Sequence, residues 1–201
     1  MSNSRQSPAG SANSGGRESL DRASTPASTG HLEDAIAIMR NYLTCEFTTV
    51  FRDGTPQTWP VSALLMHDGR LLLCTSIGFP QKVFNVRRNQ KVSLLFSEPL
   101  GSGLSGAGAV LICGDATADN KMISDMTATP ELAALIRTIF ERQPSSTIMS
   151  SFVGRRIFWP YYLRLTIYVT PARAWYWPTK DFATKPKALD VKELCRVASG
   201  S

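Results

Sequence analysis

Two Asp-Gly pairs, Asp53-Gly54 and Asp68-Gly69, constrain the fold of this chain more than any other feature of its sequence. Each pair separates runs of β-forming residues, and glycine accepts the positive φ that a tight turn between antiparallel strands requires. The runs cover Cys45–Phe51, 57–66 and Arg70–Thr75. Three strands joined by two tight turns predict an antiparallel meander.

The remaining elements follow from apolar periodicity and from residues that start or stop helices. They are a helix from Leu32 to Leu43, a short helix begun by Pro80, strands Lys91–Phe96 and Ala109–Thr117, a short helix after Asp119, a helix capped by Thr129, and strands Tyr161–Val169 and Arg173–Trp177. Phe79, Val83 and Val86 are expected to face the core. Six or seven short antiparallel strands predict a mainly β chain with peripheral helices, folded as a small closed or half-closed barrel.

The two ends of the chain differ from its centre in composition. Residues 1–30 are dominated by Ser, Ala, Gly, Arg, Pro and Thr with a single leucine, which predicts a disordered tail. Residues 179–201 are polar and carry one modest helical pattern at 189–197. No apolar stretch reaches the roughly 18 residues of a membrane span, and no signal peptide is visible near the start. We therefore expect a cytoplasmic protein with no membrane partner.

Charge and cysteine content limit the possible functions further. The net charge of +6 permits an anionic partner, but only Lys82, Arg87, Arg88 and Lys91 come close to a cluster, and a solvated helix face explains them better than nucleic acid does. The four cysteines lack the spacing of a zinc site, which predicts buried free thiols in a reducing compartment and no metal site. The two histidines lack a setting for triad chemistry, so catalytic residues stay unknown.

The segment from Cys74 to Lys82 carries the most chemical information. Thr75 and Ser76 end a strand, Gly78 turns the chain, and a helix begins, so free amide groups at the helix start favour an anion. Lys82 in that first turn opposes the helix dipole unless something negative binds beside it. One interpretation is a phosphate cradle; the other is a capped helix whose lysine points into water.

One ordered set of segments runs through most of the chain, from about Asp34 to Pro178. The segments are the Asp68-Gly69 turn, Cys74-Thr75-Ser76, Lys82, Asn85, Arg87-Arg88-Asn89, Lys91–Phe96, Cys113-Gly114-Asp115-Ala116 and Tyr168–Trp177. This order resembles the pyridoxamine 5′-phosphate oxidase-like FMN-binding split barrels. The resemblance implies a split β-barrel domain over residues 31–178, and a homodimer with FMN at the subunit interface.

The resemblance also implies which residues hold the cofactor. Thr75, Ser76 and Lys82 match the positions that bind the FMN phosphate, with Gln81 beside them. The strand whose backbone runs past the flavin ring is matched by Val61, Ser62 and Ala63, and Trp177 matches an aromatic residue near the flavin. An FMN-dependent oxidoreductase acting on a small molecule is then expected, with hydride transfer supplied by the flavin.

Three departures from the family pattern leave other functions open. Trp59 stands where the family has an FMN-contacting arginine, and Ala109 replaces a flavin-contacting glutamine. The arginine-x-histidine pair that binds the substrate of the true oxidase is missing, which argues against vitamin-B6 oxidation. The lost arginine leaves room for a deazaflavin coenzyme, and a non-enzymatic flavin carrier on the same scaffold is a further alternative. A haem-handling relative has only His31 and His67 as axial ligands.

Overall fold

The computed structural model describes residues 29–106, 108–125, 127–142 and 163–200. The predicted tail up to residue 28 and the strand residues Tyr161 and Tyr162 lie outside these ranges. No helix of the described part is long and apolar enough to cross a membrane.

Four helices and eight strands make up the described part. The helices are α1 Thr29–Asn41, α2 Gln81–Arg88, α3 Pro130–Arg142 and α4 Val191–Ala198. The strands are β1 Cys45–Val50, β2 Pro56–Val61, β3 Ala63–Leu65, β4 Leu71–Ser76, β5 Lys91–Phe96, β6 Ala109–Ala118, β7 Arg164–Trp177 and β8 Lys187–Leu189.

The strands form one antiparallel sheet in the order β2-β1-β5-β6-β7-β4-β3, and β8 pairs with β7. The two outermost strands of this order, β2 and β3, are separated in sequence by Ser62 alone. The sheet therefore curls until its two ends meet at a one-residue corner, where the Ser62 hydroxyl donates a hydrogen bond of 2.9 Å to the Leu43 carbonyl. This arrangement confirms the predicted split barrel of antiparallel strands.

Both Asp-Gly turns form as predicted, because Gly54 and Gly69 have φ of 90° and 80°. They join β1 to β2 and β3 to β4 as two antiparallel hairpins. The predicted strand over 57–66 is bent at Ser62, however, so its two halves pair with different partners. The expected three-stranded meander is thus two hairpins that meet at a corner.

The core lies inside the curl. Alternate residues of β1 point inward, so Cys45, Phe47 and Thr49 are buried while their neighbours are only half-buried. Helix α2 supplies Val83 and Val86 to this core, as predicted. The prediction that Phe79 faces the core is wrong. Phe79 precedes the helix and is 60% exposed, because the turn that starts α2 directs it away from the sheet.

Three further expectations need correction. The described residues between Asp119 and Thr129 form no helix; instead Ile123 bridges to Arg164 through two backbone hydrogen bonds. The strands expected at 161–169 and 173–177 are one continuous strand, β7, whose bulge beside Gly114 accommodates Pro171. The tail after residue 178 contributes β8 as well as α4. In α3, Thr129 caps the helix as predicted, with its hydroxyl accepting from the Leu132 amide at 3.1 Å.

Candidate functional site

Thr75 and Ser76 end β4 and point to opposite faces of the sheet, because successive strand residues alternate. The Thr75 hydroxyl donates to the Phe79 carbonyl at 3.1 Å, and the Ser76 hydroxyl oxygen accepts from the Gly78 amide at 3.2 Å. Both hydroxyls therefore hold the turn that leads into α2. The Ser76 hydroxyl donates to no group of the described residues, so its proton is available to a ligand, whereas the single Thr75 proton is already donated.

Helix α2 begins without a side-chain cap. Pro80 occupies the N-cap position and makes no side-chain hydrogen bond there, and the first turn of the helix contains no acidic residue. The amide groups at the start of α2 thus lack the carboxylate or hydroxyl partner that helix starts usually recruit. Such a start favours an anion from outside the helix.

Lys82 lies in that first turn and is half-buried. Its ammonium nitrogen lies 5.1 Å from the ring centroid of Trp59 on β2. Burial lowers the pKa of Lys82 below its ordinary 10.5. Within the described ranges Lys82 takes part in none of the three ion pairs. Lys82 is therefore a partly desolvated cation above an aromatic ring. It differs from the lysine of a simple capped helix, whose side chain would point into water.

Asn85 is the centre of a polar network that the sequence did not reveal. Its side chain is fully buried and donates to the Thr49 hydroxyl at 2.9 Å and to the Gln57 amide oxygen at 3.3 Å. Its own amide oxygen accepts from Gln81 at 2.9 Å and from Arg88 at 3.0 Å. One sequence signal was available: Asn85 falls between Val83 and Val86, on the side of α2 predicted to face the core.

This network, which we call the Asn85 network, fixes α2 over one end of the barrel. Gln57 lies on β2 two residues before Trp59, so both side chains share one face of that strand. Asn85 lies on α2 three residues after Lys82. The hydrogen bond between Asn85 and Gln57 thus connects the two elements that bring Lys82 and Trp59 together.

The corner residues Val61, Ser62 and Ala63 lie near the cradle. Ala63 pairs with Leu73 on β4, two residues before Thr75, whereas Val61 pairs with Cys45 on β1. Val61 also shares its strand face with Trp59. The structure thus brings five predicted residues into one region: Val61, Ala63, Thr75, Gln81 and Lys82. Ser62 and Ser76 lie at its border, each with its hydroxyl bonded to the backbone.

Trp177 does not join this group within one chain. It ends β7, thirteen residues after Arg164, which pairs with Ser76 at the other end of the strand. Across the sheet, Trp59 is level with Ala174 through Phe47, Leu94 and Ile112, so Trp177 lies four strands from Trp59, roughly 20 Å at ordinary strand spacing. The Trp177 indole donates to the Thr184 carbonyl at 3.1 Å and meets the Phe182 ring edge-on at 5.3 Å. A flavin contact from Trp177 stays a prediction that depends on a second subunit.

The basic residues expected to be solvated each contact protein groups. Arg87 donates to the Asp119 carbonyl at 2.7 Å, Arg88 donates to the Val50 carbonyl at 2.9 Å, and Lys91 pairs with Asp115 at 2.6 Å. Of these four cations, Lys82 alone lies above an aromatic ring of β2, the strand that ends at Val61. The prediction that nucleic acid is not a partner stays a prediction.

The four cysteines are free thiols. Burial raises the pKa of Cys74, which lies on β4 beside the cradle, and it raises the pKa of Cys45 strongly. A thiol with a raised pKa is a poor nucleophile at neutral pH. Within the described ranges, no group of three or more His, Cys, Asp or Glu side chains could hold a metal ion.

No protein-family profile matches this sequence. No curated protein matches it either. Solved structures with the same fold do exist. One is a protein related to general stress protein 26, of the pyridoxinephosphate oxidase family, from Clostridium acetobutylicum. It is 15% identical, with a TM-score of 0.51 over 82% of this chain and 97% of that one.

A second similar structure is a heme binding protein from Mycobacterium smegmatis. It is 15% identical, with a TM-score of 0.52 over 85% of this chain. This chain spans only 61% of that protein. An Agrobacterium tumefaciens protein of unknown function also has a TM-score of 0.52, with 62% of its length spanned. At these identities the likeness concerns the fold, which these proteins share with the present chain.

Proposed function

We propose that this chain binds FMN with the phosphate at the start of α2 and acts as an FMN-dependent oxidoreductase on a small molecule. The observation that carries the proposal is Lys82, a half-buried cation without a carboxylate partner in the described ranges, next to a helix start without a cap. A phosphate group supplies the negative charge that both features lack.

The residues present fit such a cofactor. Lys82 and the first amides of α2 would bind the phosphate, and the Ser76 hydroxyl would donate its free proton. The backbone of Val61 and Ala63 would lie along the ring, while the Asn85 network keeps α2 in position. Bound flavin supplies hydride transfer, so no side chain has to act as a strong acid or base. The protein's part is to orient the substrate and keep water out.

A second copy of the chain would complete the site. The outer face of the sheet carries Leu95, Leu111 and Trp175 side by side on β5, β6 and β7, and all three are only half-buried. A second copy could cover this row, as the resemblance implies for a homodimer, and could bring its Trp177 to the cradle. The proposed dimer thus explains why Trp177 lies far from Lys82 within one chain.

Trp59 favours one alternative cofactor. The family's arginine is replaced here by a ring that already contacts Lys82, so the site offers one cation fewer to a phosphate. A deazaflavin coenzyme is therefore the second candidate. Haem has less support: His31 lies 2.6 Å from the Lys187 ammonium, and His67 sits in an exposed turn at the far end of β4 from Ser76.

Mass spectrometry of the ligand released from gently purified protein tests the proposal, together with a titration of the stripped protein with FMN. We expect a yellow protein that releases FMN and rebinds it. Reduction of the bound flavin by a nicotinamide nucleotide, followed at the flavin absorbance, then separates an oxidoreductase from a carrier. A colourless protein that fails to bind added FMN would contradict the proposal.

A further inference from the structure

Trp59 has an aromatic face that is covered in the ligand-free chain by its own neighbour. The Lys82 ammonium lies 5.1 Å from the centre of the ring. Trp59 shares its strand face with Val61, the residue at which the proposed flavin ring would begin. The Trp59 indole thus lies between the proposed position of the phosphate and the proposed position of the flavin ring.

Two interactions compete for the Lys82 ammonium. Its attraction to the Trp59 ring is a cation–π contact, which is weaker than a charge-assisted hydrogen bond to a phosphate oxygen. Burial lowers the pKa of Lys82 because it disfavours the charged ammonium, and a bound anion would stabilise that charge. A phosphate arriving at the start of α2 therefore draws the ammonium away from the ring.

We propose that Trp59 is a ligand-stacking residue whose ring face is released when an anion binds Lys82. The inference deepens the proposed function and rests on it: the anionic part of the ligand binds first to the cation, and the planar part then packs on the freed indole. The site accordingly selects ligands that combine an anionic group with a flat aromatic body, and Trp59 takes the place of a second cation.

Gln57 and Asn85 fix the positions of the two elements that carry Trp59 and Lys82. Gln57 precedes Trp59 by two residues and accepts a hydrogen bond from Asn85 at 3.3 Å, which holds β2 at a fixed position relative to α2. The strand therefore stays in place when the lysine moves. A change of the Lys82 side-chain rotamer is then enough to withdraw the ammonium from the face of the ring that it contacts.

The affinities of FMN and riboflavin for three variants test the proposal. Trp59→Leu should weaken FMN by about three- to tenfold, the usual range for one aromatic stacking contact, and should change riboflavin affinity little, because riboflavin lacks the anion that releases the ring. Trp59→Phe, which keeps an aromatic face, should stay within about threefold of the natural protein for both ligands. Lys82→Met should weaken FMN much more than riboflavin, because only FMN carries the phosphate. An equal FMN affinity for Trp59→Leu and the natural protein would overturn the stacking role.

A second measurement follows the release itself. The ε-methylene signal of Lys82 in an NMR spectrum of ¹³C-lysine-labelled full-length protein should be shifted upfield by the Trp59 ring current. This shift should vanish in Trp59→Leu and on saturation with FMN. A Lys82 signal that stays shifted while FMN is bound would overturn the proposal.

The same signal separates this proposal from the proposed function. If the natural protein binds neither FMN nor riboflavin, the proposed function is wrong, and inorganic phosphate becomes the probe. Loss of the upfield shift at millimolar phosphate would then still support release of Trp59 by an anion. An unchanged signal would refute it.

Discussion

Lys82 is the residue on which the cofactor assignment depends most directly. Lys82→Ala should weaken FMN by about 1.5–3 kcal/mol, or roughly ten- to hundredfold in dissociation constant, as for other hydrogen bonds to charged groups. Isothermal titration calorimetry measures the effect, and riboflavin is the control ligand because it lacks the phosphate. Unchanged FMN affinity would place the phosphate elsewhere.

The stability of the ligand-free variant should change little. Removing a cation from the first turn of a helix is favourable, while loss of the contact with Trp59 is unfavourable, and each effect is below about 1 kcal/mol. Denaturant unfolding of stripped Lys82→Ala checks this. A loss well above that amount would mean that Lys82 serves packing and not a ligand.

The lowered pKa of Lys82 gives FMN binding a defined pH dependence. The phosphate needs the protonated ammonium, so affinity should be level near neutral pH and fall as pH rises through a value below 10.5. Lys82→Arg keeps its charge to higher pH and should extend the level region. Titrations between about pH 7 and pH 11, a window that extends past the ordinary lysine pKa, measure the difference. An identical alkaline fall in both proteins would assign it to another group.

Protonation of Lys82 also acts on folding, with the opposite sign. The group loses its proton more readily in the folded chain than in the unfolded one, so charged Lys82 opposes folding at neutral pH. This small destabilisation is relieved as pH rises toward 10.5, and a phosphate ligand relieves it at neutral pH.

Asn85 should contribute more to stability than any exposed residue of α2. Asn85→Ala removes four hydrogen bonds and leaves the buried Thr49 and the half-buried Gln57 without their donor, so a loss of about 2–4 kcal/mol in unfolding free energy is expected. Asn89→Ala is the control, because Asn89 accepts one local bond from the Lys91 amide. Similar losses for both variants in urea unfolding would contradict the role given to the network.

At the scale of elements, the two Asp-Gly turns differ in their surroundings although their backbones agree. A Cβ added at Gly54 would meet nothing within 4 Å, whereas one at Gly69 would overlap the Cys195 thiol and lie 2.8 Å from its Cα on α4. The turn at Gly69 therefore also packs against α4, which lies more than a hundred residues away in sequence.

The paired substitutions Gly54→Ala and Gly69→Ala separate these effects. Both introduce a side chain at positive φ, which costs about 1–2 kcal/mol. Gly69→Ala should cost about 1–3 kcal/mol more, because it also overpacks the contact with α4. Thermal unfolding of the two variants gives the difference. Equal melting temperatures would show that α4 shifts to accept the added methyl group with no loss of stability.

At the scale of the whole molecule, the proposed dimer can be tested on the row of Leu95, Leu111 and Trp175. Light scattering of the natural protein should give twice the 22.0 kDa chain, about 44 kDa for a two-subunit assembly. Leu111→Glu should shift the mass toward that of one chain. Thr117→Glu, on the same strand and face but away from the row, is the control. A natural protein that is monomeric at micromolar concentration with FMN bound would contradict the dimer.

Local signals in the sequence were sufficient for most elements but not for long-range contacts. The Asp-Gly turns, Thr129 and Pro80 act on their own neighbours, so the two hairpins and the helix starts could be predicted. The bend at Ser62 and the addition of β8 to β7 depend on partners far along the chain, which no local pattern records. The helix dipole singles out Lys82 in the sequence, whereas no local pattern places Trp59 beside it.

The closure of the sheet has a consequence for how this chain is made. Strand β7 lies between β6 and β4 and pairs with both, so the barrel has a gap until β7 arrives. Leu73 and its partner Ile167 are 94 residues apart (167 minus 73). On the ribosome, both early hairpins can form long before this strand leaves the exit tunnel. Until then β4 and β6 expose unpaired edges, which makes the growing chain most vulnerable to aggregation in the interval before β7 emerges.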